Sequence, residues 1–135
     1  MKPITISSLG TAETTVDEGK LAKTVKSGSL PVFATPMMVA LMEEAAYDAM
    51  TPFLEEDETT VGTKLELYHQ AAMPCGMTVR ATAEITGVCG REIIFHITAR
   101  DDAREIGSCN HHRFLVQSER FLSKAEARRP QEERL

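Results

Sequence analysis

Residues 35–50, TPMMVALMEEAAYDAM, decide the fold class. Met37, Met38, Leu41, Met42, Ala45, Ala46, Ala49 and Met50 recur at three- and four-residue spacing, which predicts one long helix with a broad buried stripe. Pro36 suits the first helical position, because its missing N–H would have no partner there. Thr35 is then the expected N-cap, its hydroxyl accepting from a backbone N–H of the first turn. Thr51-Pro52 ends the helix, since a residue before proline is pushed out of the helical region.

Downstream the period changes from helical to two-residue. Residues 61–69 (VGTKLELYH) alternate, with Leu65 and Leu67 on one face and Lys64, Glu66 and Tyr68 on the other. After Pro74-Cys75-Gly76, residues 77–88 place Val79, Ala81, Ala83 and Ile85 inward and Arg80, Thr82 and Glu84 outward. Cys89-Gly90-Arg91 reads as a hairpin turn, residues 92–100 as a further strand, Asp101-Asp102 as a turn and residues 104–117 as the last strand. A short terminal helix is expected over residues 119–129. Upstream, residues 1–10 read as an irregular arm, and residues 11–25 as a short strand, a turn and a second extended piece. Residues 128–135 read as a frayed, charged tail. Strands joined by short loops predict an antiparallel meander. One helix with so broad an apolar surface predicts a curved sheet wrapped around it. The expected fold class is therefore α+β, a hotdog: one central helix in a curved antiparallel sheet of about five strands, formed by a single domain over residues 1–135.

Composition narrows the function classes. The chain has 135 residues, 42% hydrophobic and 26% charged, a size for one domain. The net charge of −5 and the absence of Trp argue against a nucleic-acid-binding surface. No apolar run is long enough to span a membrane and none resembles a secretory signal, so a cytoplasmic protein is expected. Cys75, Cys89 and Cys109 are odd in number and lack a CxxC spacing, which favours reduced thiols over disulfides or a zinc site.

Several short motifs, in order, resemble the fluoroacetyl-CoA thioesterase-like hotdog proteins. They are Val32-Phe33-Ala34-Thr35-Pro36 with Glu43 eight residues after the threonine, and Val61-Gly62-Thr63 leading through an alternating strand to His69. Pro74, Gly76, Thr78 and Val79 extend the match, as do Glu105-Ile106-Gly107-Ser108, His111 and Arg113. The resemblance covers roughly residues 31–120. It implies a homodimer, able to pair further into a dimer of dimers, that hydrolyses a short acyl-CoA thioester. It also implies catalytic Thr35, Glu43 and His69, with Met37, Met38, Gly62 and Arg113 at the substrate. No cofactor and no metal are implied, CoA entering only as part of the substrate.

The chemistry fits these residue types. Thioester hydrolysis needs an attacking oxygen, a base and donors for the developing oxyanion. Thr35 offers a hydroxyl, Glu43 a carboxylate and His69 an imidazole that titrates near neutrality. Each also has a plain structural role open to it: a cap for Thr35, a solvated helix carboxylate for Glu43, with Glu44 as its rival, and a hydrogen-bonded strand residue for His69. Pro36 can donate nothing, so the oxyanion is expected to be held by other backbone amides, those of Met37 and Met38 standing at the positive end of the helix dipole. In a straight helix Thr35 and Glu43 stand about 80° apart in rotation and about 12 Å apart along the axis. A site needing both therefore requires either that the Thr35 segment curl off the helix axis or that the site be assembled across a dimer interface, which is the favoured reading. Lys64, Arg80, Arg91, Arg104 and Arg113 are candidates for the CoA phosphates. Cys109 and His111 share a strand face, and with His96 nearby they form a weak metal candidate. A non-hydrolytic acyl-CoA-binding hotdog is the alternative reading. A hydratase fits least, for want of an Asp-x-x-x-x-His pairing at the helix start.

Overall fold

The computed structural model describes residues 1–133, so the last two residues of the expected frayed tail lie outside it. In chain order the elements are β1 (Leu9–Thr15), a short α1 (Ala22–Val25), the long α2 (Thr35–Met50), β2 (Glu58–His69), β3 (Thr78–Cys89), β4 (Glu92–Arg100), β5 (Glu105–Gln117) and α3 (Ser118–Glu126). All pairings are antiparallel and the sheet order is β1-β3-β4-β5-β2. It is the expected hotdog, with α2 lying in the curve of one five-stranded sheet.

Burial follows the periodicities. On α2, Met38, Leu41, Met42, Ala45, Ala46, Ala49 and Met50 are buried. They pack against inward residues of the sheet such as Val79, Ala81, Ala83 and Ile85 on β3 and Phe95 and Ile97 on β4. Small residues bring the layers close. A Cβ on Gly10 of β1 would collide with the backbone of Ala45 and Ala49 on α2.

Four expectations are corrected. The strands are not one sequential meander. Only β3, β4 and β5 run in order, while β2 joins the outer edge of β5 and β1 the outer edge of β3. The segment between β2 and β3 is long enough to cross the sheet, and it buries Met73 on the way. Leu9 and Gly10 belong to β1 rather than to an irregular arm, paired with Glu84 and Ala83. Residues 22–25 are helical, not extended; only Leu21 forms a bridge, to Phe33. At the far end α3 stops at Glu126, short of the expected residue 129. No helix among the described residues is long and apolar enough to cross a membrane.

Candidate active site

The first half of the site forms where α2 begins. The backbone just ahead of the helix is gripped from two sides: Phe33 N–H donates to Met73 C=O at 2.8 Å and Ala34 N–H to Lys20 C=O at 2.9 Å. These bonds hold Ala34 extended and make it the N-cap residue, so Thr35 already lies in the first turn and caps nothing. The expected Thr35 cap is thus corrected, and its hydroxyl is free for other work. Thr35 Oγ1 lies 2.7 Å from His69 Nδ1, at the end of β2, in a hydrogen bond whose direction the ring tautomer sets. His69 Nε2 is buried and has no partner among the described residues. Burial lowers the His69 pKa from its ordinary 6.5, and the nearby Ala71 backbone offsets part of that shift.

The amides of Met37 and Met38 both donate to Ala34 C=O at 3.0 Å, because an N-cap carbonyl accepts the first intrahelical bonds. The Met38 side chain is fully buried against Gly107. The backbone N–H beside Thr35 Oγ1 is Thr35's own, with no carbonyl acceptor among the described residues at the positive end of α2.

The second half lies further along the helix. Glu43 is half-buried, and its Oε2 is 3.3 Å from Arg113 Nη1 on β5 and 4.0 Å from His111 Nε2. Arg113 is buried and uses its whole fork. Nε donates to Thr60 Oγ1 at 2.8 Å, Nη2 to Thr60 C=O at 2.9 Å and Nη1 to His111 Nε2 at 3.1 Å. Gly62 completes this cluster. It stands opposite Arg113 where the β2–β5 register shifts, and a Cβ there would lie 2.5 Å from Glu43 Oε2 and 3.1 Å from His111 Cε1. Gly62→Ala should therefore displace the Glu43 carboxylate with little change in Tm, and, if the cluster serves the acyl-CoA hydrolysis the resemblance implies, lower its kcat/KM by up to about 100-fold. Steady-state kinetics beside a thermal melt checks this.

Within one chain the structure brings Thr35 to His69 and Glu43 to Gly62 and Arg113. It does not bring the two pairs together, because α2 runs unbroken between Thr35 and Glu43. The sequence reading missed Thr60 and His111 as members of the second cluster. The available signal was the two-residue spacing of Cys109, His111, Arg113 and Leu115, all buried on the helix-facing side of β5. Cys109 is buried, and burial, then the charge of Glu43, push its thiol up to about 12, so it stays protonated. His96 lies on the opposite face, exposed, with Nδ1 3.2 Å from Asn110 Oδ1, so it does not join His111. The candidate phosphate ligands do not converge. Lys64 pairs with Glu66, Arg80 with Glu13, Arg104 Nε donates to Glu105 C=O, Arg91 lies over the Phe114 ring, and Arg113 is committed inside.

A sequence model of the FlK family, described as fluoroacetyl-CoA-specific thioesterase, matches residues 16–119, further toward the N-terminus than the motifs reached. The chain is 43% identical over 99 residues to the fluoroacetyl-CoA thioesterase of Streptantibioticus cattleyicolor, covering 73% of this chain and 71% of that one. A solved structure of the fluoroacetyl-CoA thioesterase FlK superposes with a TM-score of 0.89 at 35% identity, covering 96% of this chain and 100% of that one. A variant of FlK in complex with acetyl-CoA gives 0.88 at 34%, with 94% and 100% covered. A thioesterase superfamily member from Thermus thermophilus gives 0.87 at 27%, with 94% of each chain covered. On the matched length, the identity and the shared hotdog architecture, the chain belongs to the fluoroacetyl-CoA-specific thioesterase family of thioester hydrolases.

Proposed function

We propose that this thioesterase hydrolyses a short-chain acyl-CoA to the free acid and CoA, at two equivalent sites on the seam of a homodimer. The observation that carries the reading is the 2.7 Å contact between Thr35 Oγ1 and His69 Nδ1, a hydroxyl and a base in bonding distance at a helix N-terminus. The missing carboxylate comes from the second subunit. β2 is an edge strand with one side unpaired. Antiparallel pairing of two β2 strands about a two-fold axis between Leu65 and Glu66 sets His69 opposite the partner's Gly62. The partner's Glu43 and Arg113 then stand beside Thr35 and His69.

In this arrangement the thioester carbonyl sits at the start of α2, where the Thr35 amide and the helix dipole stabilise the developing oxyanion. His69 and Glu43 activate the attacking oxygen, which is Thr35 Oγ1 or a water between them. Attack forms the C–O bond to the carbonyl carbon while the base takes the attacking oxygen's proton, and collapse breaks the C–S bond, CoA leaving with that proton as the thiol. A water nucleophile gives the free acid directly, whereas an acyl-Thr35 ester is cleaved to the acid by a water in a second step. Trapping an acyl group on Thr35 distinguishes direct attack from a bound water. Arg113 orients the carboxylate, while Met37 and Gly62 border the acyl group. The non-hydrolytic alternative drew its support from Thr35 serving as a cap, a role that Ala34 holds. Three free cysteines suit a reducing cytoplasm.

The test is thiol release from acetyl-, fluoroacetyl-, propionyl- and butyryl-CoA by wild type, Glu43→Ala and His69→Ala. The reading requires release from at least one substrate and its loss in both variants; binding without release, or full activity in both, overturns it. The pH profile is a separate check. Because burial disfavours the charged imidazole, His69 keeps its base form to lower pH than a free histidine. The acid limb of kcat/KM is therefore expected below pH 6.5, and a limb centred above that value counts against His69 as the base.

A further inference from the structure

His111 is 1% exposed, and its two ring nitrogens have different partners. Nδ1 lies 2.8 Å from Lys64 C=O. A carbonyl can only accept, so the proton sits on Nδ1 and Nε2 presents a lone pair. That lone pair accepts from Arg113 Nη1 at 3.1 Å. A protonated Nε2 would instead point a hydrogen at the guanidinium. Thr60 takes the other two arms of the fork, so Arg113 is held at all three nitrogens. Nη1 is thereby aimed at Glu43 Oε2, and Oε1 is left without a partner among the described residues. The carbonyl that sets the tautomer belongs to Lys64, just past the register shift at Gly62, so the irregularity in β2 serves both neighbours.

We infer that His111 is a positioning residue for hydrolysis: a neutral, Nδ1-protonated imidazole that orients Arg113 and, through it, the reactive carboxylate of Glu43. The inference rests on the proposed function for its catalytic consequence, but the tautomer and the hydrogen bond stand without it. His111 touches no reacting atom. Burial lowers its pKa most and the Arg113 charge adds to that, against the Lys64 carbonyl and the Glu43 charge, so the neutral ring is favoured.

The experiment uses the full chain and three variants. His111→Gln keeps one amide donor and one carbonyl acceptor and cannot titrate. His111→Phe keeps the bulk beside Phe95 and removes both polar atoms. Arg113→Met removes the guanidinium. With the best acyl-CoA of the panel, His111→Phe should lose at least about 10-fold in kcat with KM within about 3-fold, whereas His111→Gln stays within about 3-fold of wild type. In the Arg113→Met background His111→Phe should cost nothing further, since the two act as one unit. Independently of turnover, nitrogen-15 NMR should find the His111 proton on Nδ1 at neutral pH, and Arg113→Met should move the Nε2 resonance. A proton on Nε2, additive losses in the double variant, or a Gln variant as impaired as Phe overturns the inference. Wild type that shows the NMR signature and releases no thiol overturns the proposed function and leaves the hydrogen-bonded unit standing.

Discussion

Glu43→Gln is expected to lower kcat for thioester hydrolysis by about 10²–10⁴-fold while leaving the fold intact. The substitution keeps the shape of the side chain, and its amide oxygen can still accept from Arg113 Nη1, now 3.3 Å from Oε2. It removes the negative charge and the ability to take a proton, which are what the proposed base supplies. The neighbouring Glu44 is a sharp control. It is exposed on the outer face of α2 and reaches neither Arg113 nor His111, so Glu44→Gln should behave as wild type. A thiol-release assay on both variants, with melts to confirm folding, decides the matter. Equal activity in the two would remove Glu43 from the reaction.

The largest expected effect on stability comes from a residue with no chemistry. Gly10→Val should cost more than about 3 kcal/mol, a large part of the roughly 5–15 kcal/mol that holds a domain of ordinary stability. The reason is what the new side chain would meet. Its Cβ would collide with the Ala49 nitrogen and the Ala45 carbonyl, backbone atoms inside a helix that cannot rotate aside. Either β1 lifts off α2 or the helix moves, and both expose the Ala45–Ala49 face. Gly87→Ala is the comparison: its Cβ would meet only Ile94 side-chain atoms, at 3.5 Å or more, and should change stability little. Urea unfolding midpoints measure both. A Gly10→Val protein with a wild-type midpoint would mean that β1 and α2 pack less closely than described.

Much of the fold was legible because each element carries one period. Apart from Met37, which is half-buried, the α2 stripe and the alternation of β3 place buried residues as the pattern requires, and β4 spans the expected residues. The strand order was not legible, because alternation marks which face of a strand is buried and says nothing of its neighbour. Proximity in sequence suggested β2 beside β3, whereas the crossing segment between them separates the two. Within the site, Thr35, Glu43 and His69 could be named, but not how they group. Thr35 illustrates the reason. Local preference makes it a cap, and distant bonds from Phe33 to Met73 and from Ala34 to Lys20 shift the helix start by one residue. His111 escaped because a histidine's role lies in the partners of its two nitrogens, and one of them is a backbone carbonyl 47 residues away.

The sheet order also dictates when the protein becomes an enzyme. Glu43 and Arg113 are separated by 70 residues, and β2 finds its neighbour only when β5, the last strand, is available. During synthesis α2 and β2 leave the ribosome well before the strand that holds Glu43 and screens β2's inner edge. Until then the chain exposes a helix rich in methionine and a long strand open on both sides. Such a species folds slowly and is prone to associate wrongly. Activity should therefore arise only once β5 has closed and two such chains have paired, and chains cut short before Arg113 should retain no partial function.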